Sequence, residues 1–326
     1  SDSTITAGDV KLDIADLEKK YDAVLEPIFK NSLPEMPRPV SVAYDKGCDL
    51  LINKAPGTIA KPKVLIPVFP GTNCEYDMAA AFNRYGGGAE IFVIRNLSAK
   101  NMEDSVNEFA KRIENSQMIA VPGGFSGGDE PEGSAKFINA FFRNPKIKDA
   151  VENMLYARDG LMIGICNGFQ ALIKLGLVPF GKIVPLSSES PTLTYNTIGR
   201  HQSQLALTKI CTNKSPWLMH CKVGEVYNIP ISHGEGRFVA SDEVIAKLIE
   251  NGQIATQYVD LNGEPTMDLA YNPNSSMCAI EGIISPDGRV LGKMGHTERI
   301  SSDTCVNVDG NKEQLLFKGG VDYFRI

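Results

Sequence analysis

Cys166 sits in "GICNGFQ", residues 164–170, after the apolar run "LMI" and before "ALIKLGL". A cysteine that only packs needs no glycine at the second position on either side. A nucleophile on a sharp strand-to-helix turn does, because side chains there would collide with neighbouring backbone. The pattern is the thiol version of the G-x-S-x-G elbow. The spacing predicts that Cys166 closes a strand and that a helix starts directly after it. The sulfur then stands at a helix N-terminus, where partial positive charge favours thiolate over thiol. The backbone N–H of Asn167 points into the same space and can donate to a developing oxyanion. Gln170, four residues on, faces the same side as Cys166. The bland alternative is a buried cysteine in a glycine-rich turn.

A nucleophile needs a base, so the four histidines decide the matter. His220 follows "PWLM" and is expected to be structural, while His201 in "GRHQSQ" is ambiguous. His296, in "KMGHTERI", has Glu298 two residues on. In extended chain that spacing projects both side chains to one face. The carboxylate can then fix one imidazole nitrogen and leave the other for sulfur. His233, in "SHGEGRF", has Glu235 at the same spacing, so the residues alone leave both pairs open. A third feature is "VPGGFSGGDEPEGS", residues 121–134, a strand running into a glycine-rich loop. Its backbone N–H groups at Gly124 and Phe125 are candidates to complete an oxyanion hole and hold a substrate. No G-K-[ST] follows, so it is not a phosphate-binding P-loop, and no dinucleotide fingerprint is present.

These groups need elements to position them. From residue 63 the chain alternates "KVLIPVF", "YDMAAAFNRYGG", "AEIFVIR", "MEDSVNEFAKRIENS", "QMIAVPGG", "SAKFINAFF", "IKDAVENMLYARDG", "LMIGIC" and "NGFQALIKLGLV". Apolar strands alternating with helices predict an α/β fold with a doubly wound, mostly parallel sheet. Helices flank both faces, and the ligand site lies at the carboxyl ends of the strands. After residue 180 the pattern turns β-rich. "QLALTKIC", "VYNIPIS", "IATQYVD" and "CAIEGIISPDGRVLGKMGH" read as strands, the last with a hairpin turn at "SPDG". One helix, "SDEVIAKLIENG", has Ser241 as its N-cap and Gly252 as its stop. Residues 1–60 differ: a charged amphipathic helix, "DLEKKYDAVLEPIFKN", then proline-rich "SLPEMPRPVSVAYDKG". They read as a linker or wrapping arm, and residues 61–326 as the catalytic domain.

Composition narrows the function further. The 326 residues carry a net charge of −6, and the pI is near 5.4. No basic excess exists to neutralise phosphates, which argues against nucleic acid as a partner. No apolar run reaches the ~20 residues of a membrane span. The N-terminus has neither a basic nor an apolar signal region. Seven cysteines without a C-x-x-C argue against a disulfide framework or a zinc site. All but Cys166 read as reduced, buried small hydrophobes, as in a cytoplasmic protein.

Taken together, "GICNGFQ", "PGGFSGGD" and "GHTER" resemble the class I (triad) glutamine amidotransferases. With "ISHGEGRF", they are similar to the glutaminase portion of the phosphoribosylformylglycinamidine synthases, over roughly residues 62–300. The resemblance favours His296 and Glu298 over His233 and Glu235. It implies a cysteine thioester mechanism on glutamine, with catalytic Cys166, His296 and Glu298. Gly124, Phe125, Asn167 and Gln170 would be the substrate-binding residues, and no metal is implied. It also implies that this chain is the C-terminal part of the large single-chain form of the enzyme. Residues 1–60 would then join it to upstream synthetase domains, which would carry the ATP and Mg. Ammonia would pass to those domains, and no cofactor is expected in this chain. Two departures stand out. Gly127 replaces the usual tyrosine after "GGFS", which bears on how the loop covers glutamine, and "HTER" replaces "HPER". The competing readings are a cysteine-elbow hydrolase of another specificity and a non-catalytic docking module.

Overall fold

The computed structural model describes residues 3–30, 36–52, 54, 57–127 and 135–326. The last part of the glycine-rich loop, 128–134, and part of the proline-rich stretch, 31–35, lie outside the described residues.

The chain opens with a hairpin, β1 (Thr4–Ala7) and β2 (Val10–Asp13), followed by helices α1 (Ile14–Ala23) and α2 (Asp49–Ile52). Helix α1 buries no residue. Its apolar side chains Tyr21, Val24, Leu25, Ile28 and Phe29, on the helix and just beyond, face outward. Residues 36–52 behave differently. Val42 and Cys48 are buried, the Val42 N–H donates to Gln257 Oε1 at 2.9 Å, and the Tyr44 N–H donates to Cys211 O at 2.8 Å. This stretch packs against the body.

The body begins with β3 (Lys63–Val68), α3 (Glu75–Arg84), β4 (Gly88–Val93), α4 (Ala99–Glu114) and β5 (Met118–Val121). It continues with α5 (Lys136–Phe142), α6 (Pro145–Glu152), β6 (Leu161–Ile165), α7 (Asn167–Leu175) and α8 (Leu177–Phe180). The β-rich part holds β7 (Thr192–Thr194), β8 (Gln202–Ile210), β9 (Val226–His233), β10 (Arg237–Val239), α9 (Asp242–Glu250), β11 (Ile254–Tyr258), β12 (Ile280–Ile284), β13 (Val290–Lys293) and α10 (Leu316–Asp322).

The main sheet has nine strands in the order β4-β3-β5-β6-β13-β12-β11-β8-β9. From β4 to β13 every pairing is parallel, in the flavodoxin-like order. From β13 to β9 every pairing is antiparallel. These are the extra β elements expected after residue 180. Strands β5 and β6 are buried at every position, as a sheet covered on both faces requires. Local signals set the helices. Ser98 caps α4 by accepting from Asn101 N–H, Ser241 caps α9 by accepting from Val244 N–H, and Gly176 at φ 85° ends α7. The amphipathic stripe of α4 buries Phe109, Ala110 and Ile113, with Val106 packed at its margin. The "SPDG" hairpin turn joins β12 to β13, with the Gly288 N–H donating to Ser285 O at 2.9 Å.

All parallel strands point the same way, so the loops after β3, β5, β6 and β13 meet at one edge. The antiparallel half curls until β9 reaches that edge too. The His296 N–H, after β13, donates to Pro230 O of β9 at 2.8 Å. This curl brings together groups that lie far apart in the flat strand order.

Candidate active site

Cys166 is the last residue before α7 and has φ 52° and ψ −108°, a conformation that a non-glycine residue adopts only under constraint. The constraint is tight packing of the elbow. A Cβ on Gly164 would lie 2.7 Å from backbone atoms of Gly168, and one on Gly168 would lie 2.0 Å from Val121 O. Both flanking glycines are therefore required, as the motif predicts. The Cys166 N–H donates to Lys293 O at 2.9 Å, which ties the elbow to the strand that leads to His296. The sulfur is almost enclosed and lies 3.7 Å from Ser232 O. The N–H of Asn167 opens α7, where it has no intrahelical acceptor.

The two histidine pairs separate clearly. His296 Nδ1–H donates to Glu298 Oε1 at 2.6 Å, with both side chains buried. Burial alone would push the His296 pKa down. The Glu298 carboxylate, together with Cys166 and Cys74, outweighs it and holds the imidazole well above its ordinary value. His233 is also buried, but neither ring nitrogen has a hydrogen-bond partner among the described residues. Burial first, then the neighbouring His296 and His201, push it down to about 3. His233 is thus held toward its neutral form, whereas His296 is the histidine paired with a carboxylate. His201 bonds Ser232 Oγ at 2.9 Å, on the strand that carries His233. His220 pairs with Asp322 at 2.8 Å on α10, away from this edge, the structural role expected of it.

Two expectations need correction. The Phe125 N–H donates to Gly71 O at 2.8 Å, so it is not open to an oxyanion. The reason is the close approach of the loop after β3, where a Cβ on Gly71 would fall 2.1 Å from Phe125 O. Phe125 instead offers a partly exposed ring, 6.2 Å from the ring of His201. Gly124 has φ 142°, and its N–H makes no backbone hydrogen bond among the described residues. Gln170 is not a free substrate contact either. Its Oε1 accepts from Asn167 Nδ2 at 2.9 Å and its Nε2 donates to Glu235 O, so it ties the elbow to the "HGEG" loop. The Asn167 side chain also accepts from Ser126 N–H at 3.3 Å, which anchors the glycine-rich loop.

Sequence reasoning passed over Cys74 and Arg299. Cys74 precedes α3 and lies 3.9 Å from His296 Nδ1, while Arg299 Nη2 donates to its sulfur at 3.0 Å. The available signal was position: "PGTNC" follows β3 at the same carboxyl edge as the other loops. Cys74, His296 and Glu298 also offer donor atoms within 4.8 Å of one another. The Arg299 guanidinium already supplies positive charge there, and Nδ1 is committed to Glu298, so the set fits a proton relay better than a metal. The other cysteines are free thiols. Burial raises the pKa of Cys48 and pushes Cys221 up to about 11, while Cys278 and Cys305 are only partly buried.

An elbow cysteine facing a buried His–Glu pair on a flavodoxin-like sheet defines a class of thiol enzymes. Residues 61–324 match the CobB/CobQ-like glutamine amidotransferase domain family, and the chain belongs to it. It is 34% identical over 262 residues to the phosphoribosylformylglycinamidine synthase subunit PurQ of Chlorobium chlorochromatii, covering 78% of this chain and 93% of that one. The corresponding subunit of Aquifex aeolicus is 33% identical over 249 residues, covering 76% and 95%. The solved structure of PurLQS from Thermotoga maritima contains a chain that superposes with a TM-score of 0.57 at 25% identity. That superposition covers 81% of this chain and 99% of the other. The chain is therefore a glutamine amidotransferase. Among the described residues, no helix is long and apolar enough to cross a membrane.

Proposed function

We propose that Cys166, His296 and Glu298 are the catalytic triad of a glutaminase that supplies ammonia for phosphoribosylformylglycinamidine synthesis. The observation that carries this reading is the strained elbow cysteine beside a buried His296 that is bonded to Glu298 at 2.6 Å. The Cys166 sulfur attacks the side-chain amide carbon of glutamine. The N–H groups of Asn167 and Gly124 hold the tetrahedral oxyanion, each worth about 3–4 kcal/mol. His296, oriented by Glu298, gives its proton to the departing ammonia, and a γ-glutamyl thioester remains. His296 then takes a proton from water, which attacks the thioester and releases glutamate and the thiol. The sum is glutamine plus water to glutamate plus ammonia.

The ammonia serves the ATP-dependent amidation of formylglycinamide ribonucleotide, and ATP and Mg belong to the synthetase part of that enzyme. We read residues 1–60 as the connection to that part in a large single-chain synthase. Two things support this: the family match begins at residue 61, and no residue of 3–30 is fully buried. A cytoplasmic location goes with this role.

The test pairs the chain with a formylglycinamide ribonucleotide synthetase. Cys166→Ala should abolish glutamine-dependent product formation and leave ammonia-dependent formation within about twofold of wild type. Persistent glutamine-dependent turnover in that variant would overturn the assignment.

A further inference from the structure

We propose that Lys293 and Glu281 are positioning residues for the same reaction, a buried ion pair that clamps the turn carrying His296. The inference rests on the reading of His296 as the proton carrier.

The two charges lie 3.4 Å apart, with side chains 1% and 0% exposed. Lys293 ends β13 and Glu281 lies in β12, in strands buried along their whole length. Taking two charges out of water costs more than their attraction returns unless further partners satisfy them. Here most of those partners belong to one turn. Glu281 Oε1 accepts from the Gly295 N–H at 2.6 Å, and its other oxygen accepts from the Thr256 hydroxyl. Lys293 Nζ donates to Gly295 O at 3.1 Å and to Thr297 Oγ1 at 2.9 Å. Thr297 in turn donates to Gln314 Oε1 at 2.9 Å.

The residue before His296 is thus held at both its N–H and its C=O, and the residue after it by its hydroxyl. The His296 N–H is itself held by Pro230 O at 2.8 Å. Gly295 has no room to shift. A Cβ there would lie 2.8 Å from Ile229 Cγ2, 3.0 Å from Glu281 Oε1 and 3.1 Å from Lys293 Nζ. Lys293 also reaches the other half of the site, because its carbonyl accepts the Cys166 N–H at 2.9 Å. One residue therefore sets nucleophile and base relative to each other, the first through its backbone and the second through its ammonium.

The test uses the full chain and 6-diazo-5-oxo-L-norleucine, read by intact mass and peptide mapping. Wild type should label once, at Cys166. The double variant Glu281→Gln/Lys293→Met keeps an acceptor for Gly295 N–H and leaves no unpaired buried charge. It should label to the same final fraction with KI within about threefold, while the inactivation rate constant falls about 10- to 100-fold. A merely structural role would lower the labelled fraction or the melting temperature and leave that rate constant alone. A rate constant within about twofold of wild type overturns the proposal. If the double variant does not fold, Thr297→Val removes one contact of Lys293 together with the Thr297 bond to Gln314. It should slow inactivation about three- to tenfold at unchanged KI, and an unchanged rate there is equally fatal. Absence of Cys166 labelling in wild type is a separate outcome, and it would remove the triad reading itself along with the clamp.

Discussion

The proposed triad residues Cys166, His296 and Glu298 sit in different environments. The 2.6 Å bond to Glu298 fixes the tautomer of His296, and the carboxylate is the first of the groups that overcome burial to keep its proton. Glu298→Gln should therefore lower kcat about 10³- to 10⁴-fold, as loss of the orienting carboxylate does in other triads. In the same variant, the pH titration of the His296 ring resonance should move to lower pH. His233 makes the opposite case. Its pKa, pushed down to about 3 by burial and two neighbouring histidines, lies below that of an unfolded histidine near 6.5. The unfolded chain binds the extra proton first, so this contribution to stability is present above about pH 6.5 and is lost as the pH falls toward 3. Thermal melts should show His233→Leu losing less stability than wild type between pH 6.5 and pH 5.

At the scale of elements, the β6–α7 turn carries the site, and its cost is steric. Gly168 packs against Val121 of β5 so closely that a methyl group would overlap the carbonyl oxygen. Gly168→Ala should destabilise the fold by about 3 kcal/mol in denaturant titration, because the backbone of both strand and helix must move. A change below about 0.5 kcal/mol would mean that the elbow is looser than its packing indicates. A second close approach, of the loop after β3, explains why the glycine-rich loop lost one of its expected oxyanion donors. Gly71 brings its carbonyl against the Phe125 N–H, a contact between two loops separated by α3, β4, α4 and β5. The turn after β13 is held in a third way, by charges buried in the adjacent strands.

Across the whole molecule, the nine-stranded sheet has two jobs. Its parallel half sets out the loops, and its antiparallel half curls round to close the site with β9. The N-terminal arm divides likewise. Residues 36–52 are docked through Val42, Tyr44 and Cys48, whereas no residue of 3–30 is fully buried. Removal of residues 1–30 should leave the melting temperature within about 2 °C. Val42→Asp should lower it by several degrees, since a charge would be buried without a partner. Scanning fluorimetry on the two variants separates these outcomes, and a large loss from the truncation would mean that the hairpin and α1 hold the body together.

The features legible along the chain are local ones. The glycine-flanked cysteine, the strand–helix alternation, the Ser241 cap and the "SPDG" hairpin were all readable, because each depends on neighbours within a few residues. Spacing alone left two histidines with identical Glu spacing open; the family resemblance favoured His296, and the tertiary structure supplies the physical ground. That ground depends on which strand curls against which loop, and it leaves the His296 ring paired and the His233 ring without a hydrogen-bond partner among the described residues. It likewise placed Cys74 and Arg299 beside His296, gave the Phe125 N–H to Gly71, and turned Gln170 into a strut. Each of these is a contact between segments tens to hundreds of residues apart, and pattern along the chain carries no information about which distant carbonyl will reach a given N–H.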